Sequence, residues 1–391
     1  DKEGMIRIQD KKDCCGCTAC VQICPKTCIR MVPDEEGFLY PSVEETVCIG
    51  CGLCEKVCPV MNRGEERIPV RTLAVKNKNE EIRFKSSSGG AFSALATRIL
   101  DAGGVVFGAK FDEEWTVVHD YIESVDALYL FQGSKYVQSN IGNTFSLAET
   151  FLKSGRKVLF SGTPCQIAGL KRFLRKDYDN LVTADVICHG VPSPMVWRDY
   201  LKDLITGNKL KGVSSLNDIT GVSFRSKMTG WRKFSIVVTG NDKFRMAETI
   251  DKNIFMQGFL NNLYLRPSCY DCPSRKGRSG SDLSLGDYWG VDERYPDFVD
   301  DMGVGLILVY KDKGFVNELD IDCLLIESEY SHAVKRNVCI ERNVTEPQDR
   351  KIFWKEYETY GLGAVKRIIL RNTPSVLKRI VSKVRSILSI E

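Results

Sequence analysis

Two copies of one cysteine spacing constrain this chain more than any other feature. The first reads Cys14-x-x-Cys17-x-x-Cys20-x-x-x-Cys24-Pro25, the second Cys48-x-x-Cys51-x-x-Cys54-x-x-x-Cys58-Pro59. Short spacers let three thiolates wrap one corner of a cubane 4Fe–4S cluster, and the fourth, beyond a helical turn, serves the other cluster. The spacing therefore assigns Cys14, Cys17, Cys20 and Cys58 to one cluster and Cys48, Cys51, Cys54 and Cys24 to the other. A pair of zinc knuckles, or a disulfide framework in a secreted chain, could also use eight cysteines. The repeated Cys-Pro at the fourth position argues against both. A segment of this kind folds around its metal and moves electrons one at a time.

Residues 5–62 thus read as an α+β ferredoxin-like two-cluster module, with short strands expected at 29–31 and 38–41. Cys15 and Cys28 fall outside the ligand positions and are expected to pack as small apolar side chains. Asn62 to Arg67 reads as a polar linker. From residue 70 to 345 apolar runs alternate between strand and helix lengths, which predicts an α/β domain with a mixed sheet. Strands are expected at 72–75, 104–109, 115–122, 157–160, 181–187, 283–287, 304–310 and 324–327. Helices are expected at 90–102, 145–152, 166–175 and 195–205, and a hairpin-like insertion pairs 221–225 with 234–239.

Residues 346–391 change character. Between Ala364 and Ser389 there are seven Lys or Arg and no acid, and Val376, Leu377, Ile380, Val381, Val384, Ile387 and Leu388 recur at helical spacing. That predicts a basic amphipathic helix, suited to a membrane surface or a partner groove, or docked on its own domain. A net charge of +4 over 391 residues does not point to nucleic acid. The first residues carry no apolar signal segment, no run reaches the length of a membrane span, and Met5 is the expected natural start. Thiolate iron ligands need a reducing compartment, so the reading is cytoplasmic, with the basic tail as a candidate peripheral membrane contact.

Three further stretches carry chemistry. Ser86, Ser87, Ser88, Gly89 and Gly90 precede a helix, where free backbone N–H groups and the helix dipole suit an anion such as a flavin or nucleotide pyrophosphate. Ser-rich caps without a ligand look the same. Ser161-Gly162-Thr163-Pro164-Cys165-Gln166 and Cys188-His189-Gly190-Val191-Pro192 each leave a strand, where ligands of open α/β sheets gather. Cys269-x-x-Cys272-Pro273 adds a close pair. The expectation is a third 4Fe–4S cluster on Cys165, Cys188, Cys269 and Cys272; a structural zinc on the same four, or a nucleophilic Cys165, are the alternatives. His189 is the candidate catalytic residue, as a proton donor beside a ligand, and a satisfied turn histidine is its bland counterpart. His119 and His332 have no supporting context, and Cys323 and Cys339 are expected to be free.

Together, Ser86-Ser87-Ser88-Gly89-Gly90, Gly133-Ser134-Lys135-Tyr136, Gly162-Thr163-Pro164-Cys165-Gln166, Cys188-His189-Gly190, Cys269-x-x-Cys272 and Ser281-Asp282-Leu283-Ser284-Leu285-Gly286-Asp287 resemble the coenzyme F420 hydrogenase/dehydrogenase beta subunit family, in the form with an N-terminal two-cluster ferredoxin domain. The resemblance covers about residues 5–345. It implies an FAD-binding α/β domain with its own 4Fe–4S cluster, exchanging electrons with a deazaflavin coenzyme. It also implies flavin contacts from the serine–glycine loop, Lys135 and Thr163. Cys188 to Pro194, Ser223-Phe224-Arg225-Ser226-Lys227 and Gly230-Trp231 look like a bacterial branch, often in hosts without the deazaflavin, so the resemblance leaves the two-electron substrate open. The expected function is an iron–sulfur flavoprotein oxidoreductase working with a redox partner protein. A non-catalytic electron-transfer subunit and a reductase of a cell-envelope or polysaccharide precursor are the other classes.

Overall fold

The structure is a computed structural model that describes residues 4–372 apart from 242 and 315. The apolar stripe at 376–388 lies outside the described residues. In the N-terminal module, β1 (Ile29–Pro33) and β2 (Leu39–Val43) form an antiparallel pair. The helices between the cysteines, Ala19–Gln22 and Leu53–Lys56, are single turns. Each is entered through a residue with positive φ, Thr18 at +62° and Gly52 at +71°. Chains this short have little apolar surface of their own to bury.

The remaining strands are β3 (Arg71–Asn77), β4 (Val105–Phe111), β5 (Val117–Ile122), β6 (Val158–Gly162), β7 (Leu181–Val186), β8 (Ile219–Ser226), β9 (Ser235–Gly240), β10 (Lys243–Thr249), β11 (Leu283–Asp287), β12 (Gly305–Val309) and β13 (Cys323–Ser328). Eight of them make one mixed sheet in the order β13-β3-β12-β11-β7-β6-β4-β5. β4, β6, β7 and β11 run parallel, β12 is antiparallel between β11 and β3, and β5 is antiparallel at the edge. Val158, Leu159 and Phe160, and all of β12, are buried, as continuous apolar runs must be when helices cover both faces. The expected α/β domain with a mixed sheet is what forms. The insertion differs from expectation: β8 and β9 pair as foreseen, and β10 adds a third strand, whose Lys-Phe-Arg-Met-Ala-Glu-Thr sequence has too little apolar content to announce it.

The parallel strands end on one edge of the sheet, and β3 ends on the same edge. That edge carries the turns after β6, β7 and β11, and the loop at 86–90 packs beside it. Gly89 lies directly on the sheet, where an added Cβ would stand 2.0 Å from the Val75 carbonyl oxygen and 2.4 Å from the Gly305 nitrogen.

The module is built into this domain. Cys15, Cys17, Ala19 and Val57 share one apolar cluster with Val105, Phe107, Phe145, Phe160 and Leu170. Gln22 accepts from the backbone N–H groups of Phe145 and Ser146 at 3.0 and 3.1 Å, capping the helix Thr144–Lys153. Glu36 and Arg350 form a buried bidentate ion pair, and Ser193 donates to the Glu36 carbonyl. Gly37, at φ +80°, presses on Met195 so closely that a Cβ would meet the Met195 Cβ at 2.4 Å. The stretch read as a linker is pinned as well: Arg67 donates to the carbonyls of Gly277 and Ser281, both at 2.8 Å. A module expected to fold around metal alone therefore also borrows a core.

Candidate functional site

Cys165, Cys188, Cys269 and Cys272 line one cavity. Their elements explain the convergence. Cys165 is in the first turn of the helix Pro164–Leu174, which follows β6, and Cys188 lies two residues beyond β7, the neighbouring parallel strand. Cys269 and Cys272 come from the 3-10 turn Pro267–Asp271 and its C-cap, held against Val191 by the Arg266 N–H to Val191 carbonyl bond. Val191 N–H points at the Cys269 sulfur at 3.4 Å. Burial pushes the Cys269 thiol up to about 12 and raises Cys188 and Cys272, with the neighbouring thiols adding to the effect. Separate thiolates are therefore disfavoured here, and a cationic centre would supply the missing compensation.

Two thiols that sequence reasoning set aside also face this cavity. Cys15, expected only to pack, does so, and its thiol also makes a hydrogen bond with Cys165, which with burial raises the Cys165 thiol. Cys339, expected to be free, lies 3.8 Å from His189 Nδ1. The repeat itself held a signal for Cys15, because the second copy places Ile49 where the first places Cys15. No comparable signal marks Cys339. Cys323 is buried in the apolar core behind β13.

Within the module, the thiols crowd one another. Burial pushes the Cys20 thiol up, and the charges of Cys14, Cys58 and Cys54 add to it; Cys17 is raised by burial and, in turn, by Cys20 and Cys58. Cys24, Cys48, Cys51 and Cys54 line a second cavity with Cys28, whose sulfur is 3.4 Å from that of Cys24. Cys51 is exposed and Cys24 and Cys48 are half-buried, whereas Cys14, Cys17, Cys20 and Cys58 are all buried, so the second set is the outer one, and Cys17 packs in the cluster of Phe145 and Leu170. Among the described residues, no three His, Cys, Asp or Glu side chains converge as ligands of a single ion. Four thiolates on one zinc would stand only about 3.8 Å apart. Cys165, Cys188, Cys269 and Cys272 line the wall of one cavity, a donor set that iron–sulfur centres and zinc both use.

His189 is half-buried, and its Nε2–H donates to Asn262 Oδ1 at 2.6 Å, which leaves Nδ1 unprotonated toward Cys339. Burial lowers its pKa. His119 is a satisfied core histidine: Nε2–H donates to the Ser161 carbonyl and Nδ1 accepts from Ser139, each at 2.9 Å. His332 Nδ1 is 3.0 Å from the Tyr288 hydroxyl.

The serine–glycine loop is fixed by its own hydroxyls. Ser86 Oγ donates to the Ile82 carbonyl, Ser87 Oγ pairs with Ser134 Oγ at 2.8 Å, and Ser88 Oγ donates to the Val304 carbonyl. Two buried cations hold its carbonyls: Arg225 donates to Ser87 and Lys227 to Ser88. What remains for a ligand is backbone. Gly90, at φ +84°, begins the helix Ala91–Asp101 without any side-chain cap. That uncapped N-terminus, beside a glycine with no room for a side chain, fits an anionic group. Lys135 Nζ donates to the carbonyls of Leu130 and Gln132, and burial lowers its pKa to about 7. Thr163 is the N-cap of the helix Pro164–Leu174; its N–H donates to Gln166 Oε1 and its hydroxyl is 3.3 Å from the Cys165 sulfur.

One segment joins the two places. Ser134 N–H donates to Ser87 Oγ, and Gln138 Nε2 donates to the Cys15 carbonyl. Four residues of chain separate these contacts, a span of at most about 14 Å.

Three family models match. "Coenzyme F420 hydrogenase/dehydrogenase, beta subunit N-term" covers residues 72–145, its C-terminal counterpart covers 155–317, and "4Fe-4S dicluster domain" covers 13–62. No curated protein matches. Among solved structures, a chain of the F420-reducing [NiFe] hydrogenase complex from Methanosarcina barkeri is similar over 78% of this chain and 92% of its own, at 16% identity and a TM-score of 0.45. The chain belongs to the coenzyme F420 hydrogenase/dehydrogenase beta subunit family and carries a 4Fe–4S dicluster domain, which makes it an iron–sulfur electron-transfer protein of the oxidoreductase class.

Proposed function

We propose that the chain is a flavin-dependent iron–sulfur oxidoreductase that passes electrons between a two-electron carrier and a one-electron partner. Residues 5–62 act as the two-cluster module, 70–345 as the flavin and third-cluster domain, and 346–391 as a helical tail. The carrying observation is the cavity in which Cys165, Cys188, Cys269 and Cys272 meet, touching Cys15 of the dicluster segment. Bound there and at the serine–glycine loop, 4Fe–4S clusters and FAD supply single-electron relay and the exchange of a hydride for two separate electrons. The chain's own residues do the rest. Cys14, Cys17, Cys20 and Cys58, then Cys24, Cys48, Cys51 and Cys54, then the four cavity cysteines, hold iron as thiolates.

The N-terminus of Ala91–Asp101 orients a pyrophosphate, Gly89 lets the loop lie flat on the sheet, and Arg225 and Lys227 keep the loop carbonyls turned away from it. Lys135 holds the 130–135 turn in place beside Ser134. His189, neutral and oriented by Asn262, is read as the group that takes or returns a proton at Nδ1. The two-electron carrier is a deazaflavin or another hydride carrier, and the family's description as a subunit supports a protein partner.

Analysis of iron, sulfide, zinc and flavin in anaerobically prepared protein tests the reading. About twelve irons and one FAD per chain is the expected result. About eight irons with one zinc removes the third cluster, and iron without flavin leaves an electron-transfer subunit.

A further inference from the structure

Among the described residues five arginines are buried: Arg83, Arg225, Arg266, Arg275 and Arg350. Three of them meet a carboxylate, Arg83 with Asp300, Arg225 with Asp287 and Arg350 with Glu36. Among the described residues, Arg266 and Arg275 pair with none. A buried cation without an anion is strongly disfavoured, and neutral carbonyls do not cancel its charge. Both stand at thiol sets.

Arg266 is 1% exposed and lies between the module and the domain. Its Nε donates to the Cys14 carbonyl at 2.7 Å, Nη1 to Gln138 Oε1 at 2.9 Å, and Nη2 to the Leu39 carbonyl at 2.9 Å and the Cys14 sulfur at 3.4 Å. Gly16 makes room for it, since a Cβ there would stand 2.8 Å from Nη1. Arg275 lines the cavity of Cys165, Cys188, Cys269 and Cys272. It donates to the carbonyls of His189 and Cys339, while its buried Nε has no partner.

We propose that Arg266 and Arg275 are potential-setting residues, each a fixed positive charge favouring the reduced form of the iron–sulfur centre held by the thiols beside it. The inference rests on the ligand sets proposed above. A centre that gains one electron gains one negative charge, and a guanidinium keeps its proton throughout, so the electron moves without one. Among the described residues, no buried arginine lines the cavity of Cys24, Cys48, Cys51 and Cys54. Electrons therefore gather on the two inner centres and leave through the outer one only when a partner draws them.

The test is a potentiometric titration of the full anaerobic chain, followed by electron paramagnetic resonance. Arg266→Gln is expected to weaken reduction of one module centre about tenfold, or ~59 mV for one electron, with the outer centre unmoved. Arg275→Gln is expected to do the same to the cavity centre. Unmoved potentials with iron retained overturn the proposal, as does a shift confined to the outer centre. Where Arg266→Gln loses iron, Gln138→Glu decides: a carboxylate beside the retained arginine must lower the same potential, and no change overturns the proposal. Wild-type protein without cluster signals sinks the functional reading itself. Signals with unmoved potentials sink only this inference.

Discussion

The dicluster segment gathers its cysteines from one stretch between Cys14 and Cys58, on single-turn helices that have almost no core of their own. The cavity set draws Cys165, Cys188, Cys269 and Cys272 from three turns, on the edge of a sheet whose strands are buried by apolar packing. In the first, metal binding and folding are one event. In the second, the scaffold comes first and the ligands are its decoration. Sites of the first kind can be read from spacing, whereas sites of the second kind also need the turns that a fold brings together.

Cysteine removal gives the largest expected effect and tests this contrast directly. Cys17→Ala should cost the module a centre and its fold, seen as loss of about four irons and rapid proteolysis of residues 5–62. Cys188→Ala should lose a similar amount of iron while the sheet keeps its circular dichroism and melting temperature within a few degrees. Equal unfolding in both variants would break the comparison. Next in size is Glu36→Ala, which leaves Arg350 buried without its anion and should destabilise the chain by about 3–5 kcal/mol in denaturant titration. A loss confined to the module would show that the two regions fold separately.

His119 sharpens the sheet side of the comparison. Burial lowers its pKa from 6.5 to about 4, so the folded state holds it neutral. Its contribution is complete above the unfolded pKa and is lost as pH falls from 6.5 toward 4. The change amounts to about 3 kcal/mol. Asp185, raised to about 6 mainly by burial, works in the opposite sense over part of that window. The measurement is therefore the difference between wild type and His119→Gln, and parallel pH curves would reject the assignment. The smallest effect is expected of Thr163→Val, which removes the hydroxyl beside Cys165 and should cost about 1 kcal/mol without loss of iron.

Local chemistry made much of the molecule legible. Val158-Leu159-Phe160 reads as a buried strand and forms one, and the paired spacings mark the eight cysteines of the module. Cys165 and Cys188 are legible because each sits in a turn next to a strand, and Cys269 and Cys272 because they form a close Cys-x-x-Cys pair. Cys339, Gln138, Arg266 and Arg275 are not, because their partners lie far away in sequence and no spacing relates them. β10 was missed for a different reason: an insertion strand outside the main core needs little apolar alternation. Resemblance names Thr163 as a flavin contact, and the structure adds that it caps its own helix beside Cys165.

Gly37 against Met195, with Glu36 locked to Arg350, has a mechanical consequence. The dicluster segment cannot swing on a tether between donor and acceptor as a shuttling domain does. Gaps between its thiol sets and the cavity are frozen into the architecture, so internal electron hops should not slow in viscous solvent. Transfer between molecules, which needs diffusion and encounter, should. A dicluster segment transplanted from another protein would have to bring a matching Glu-Gly turn to sit at the same distance.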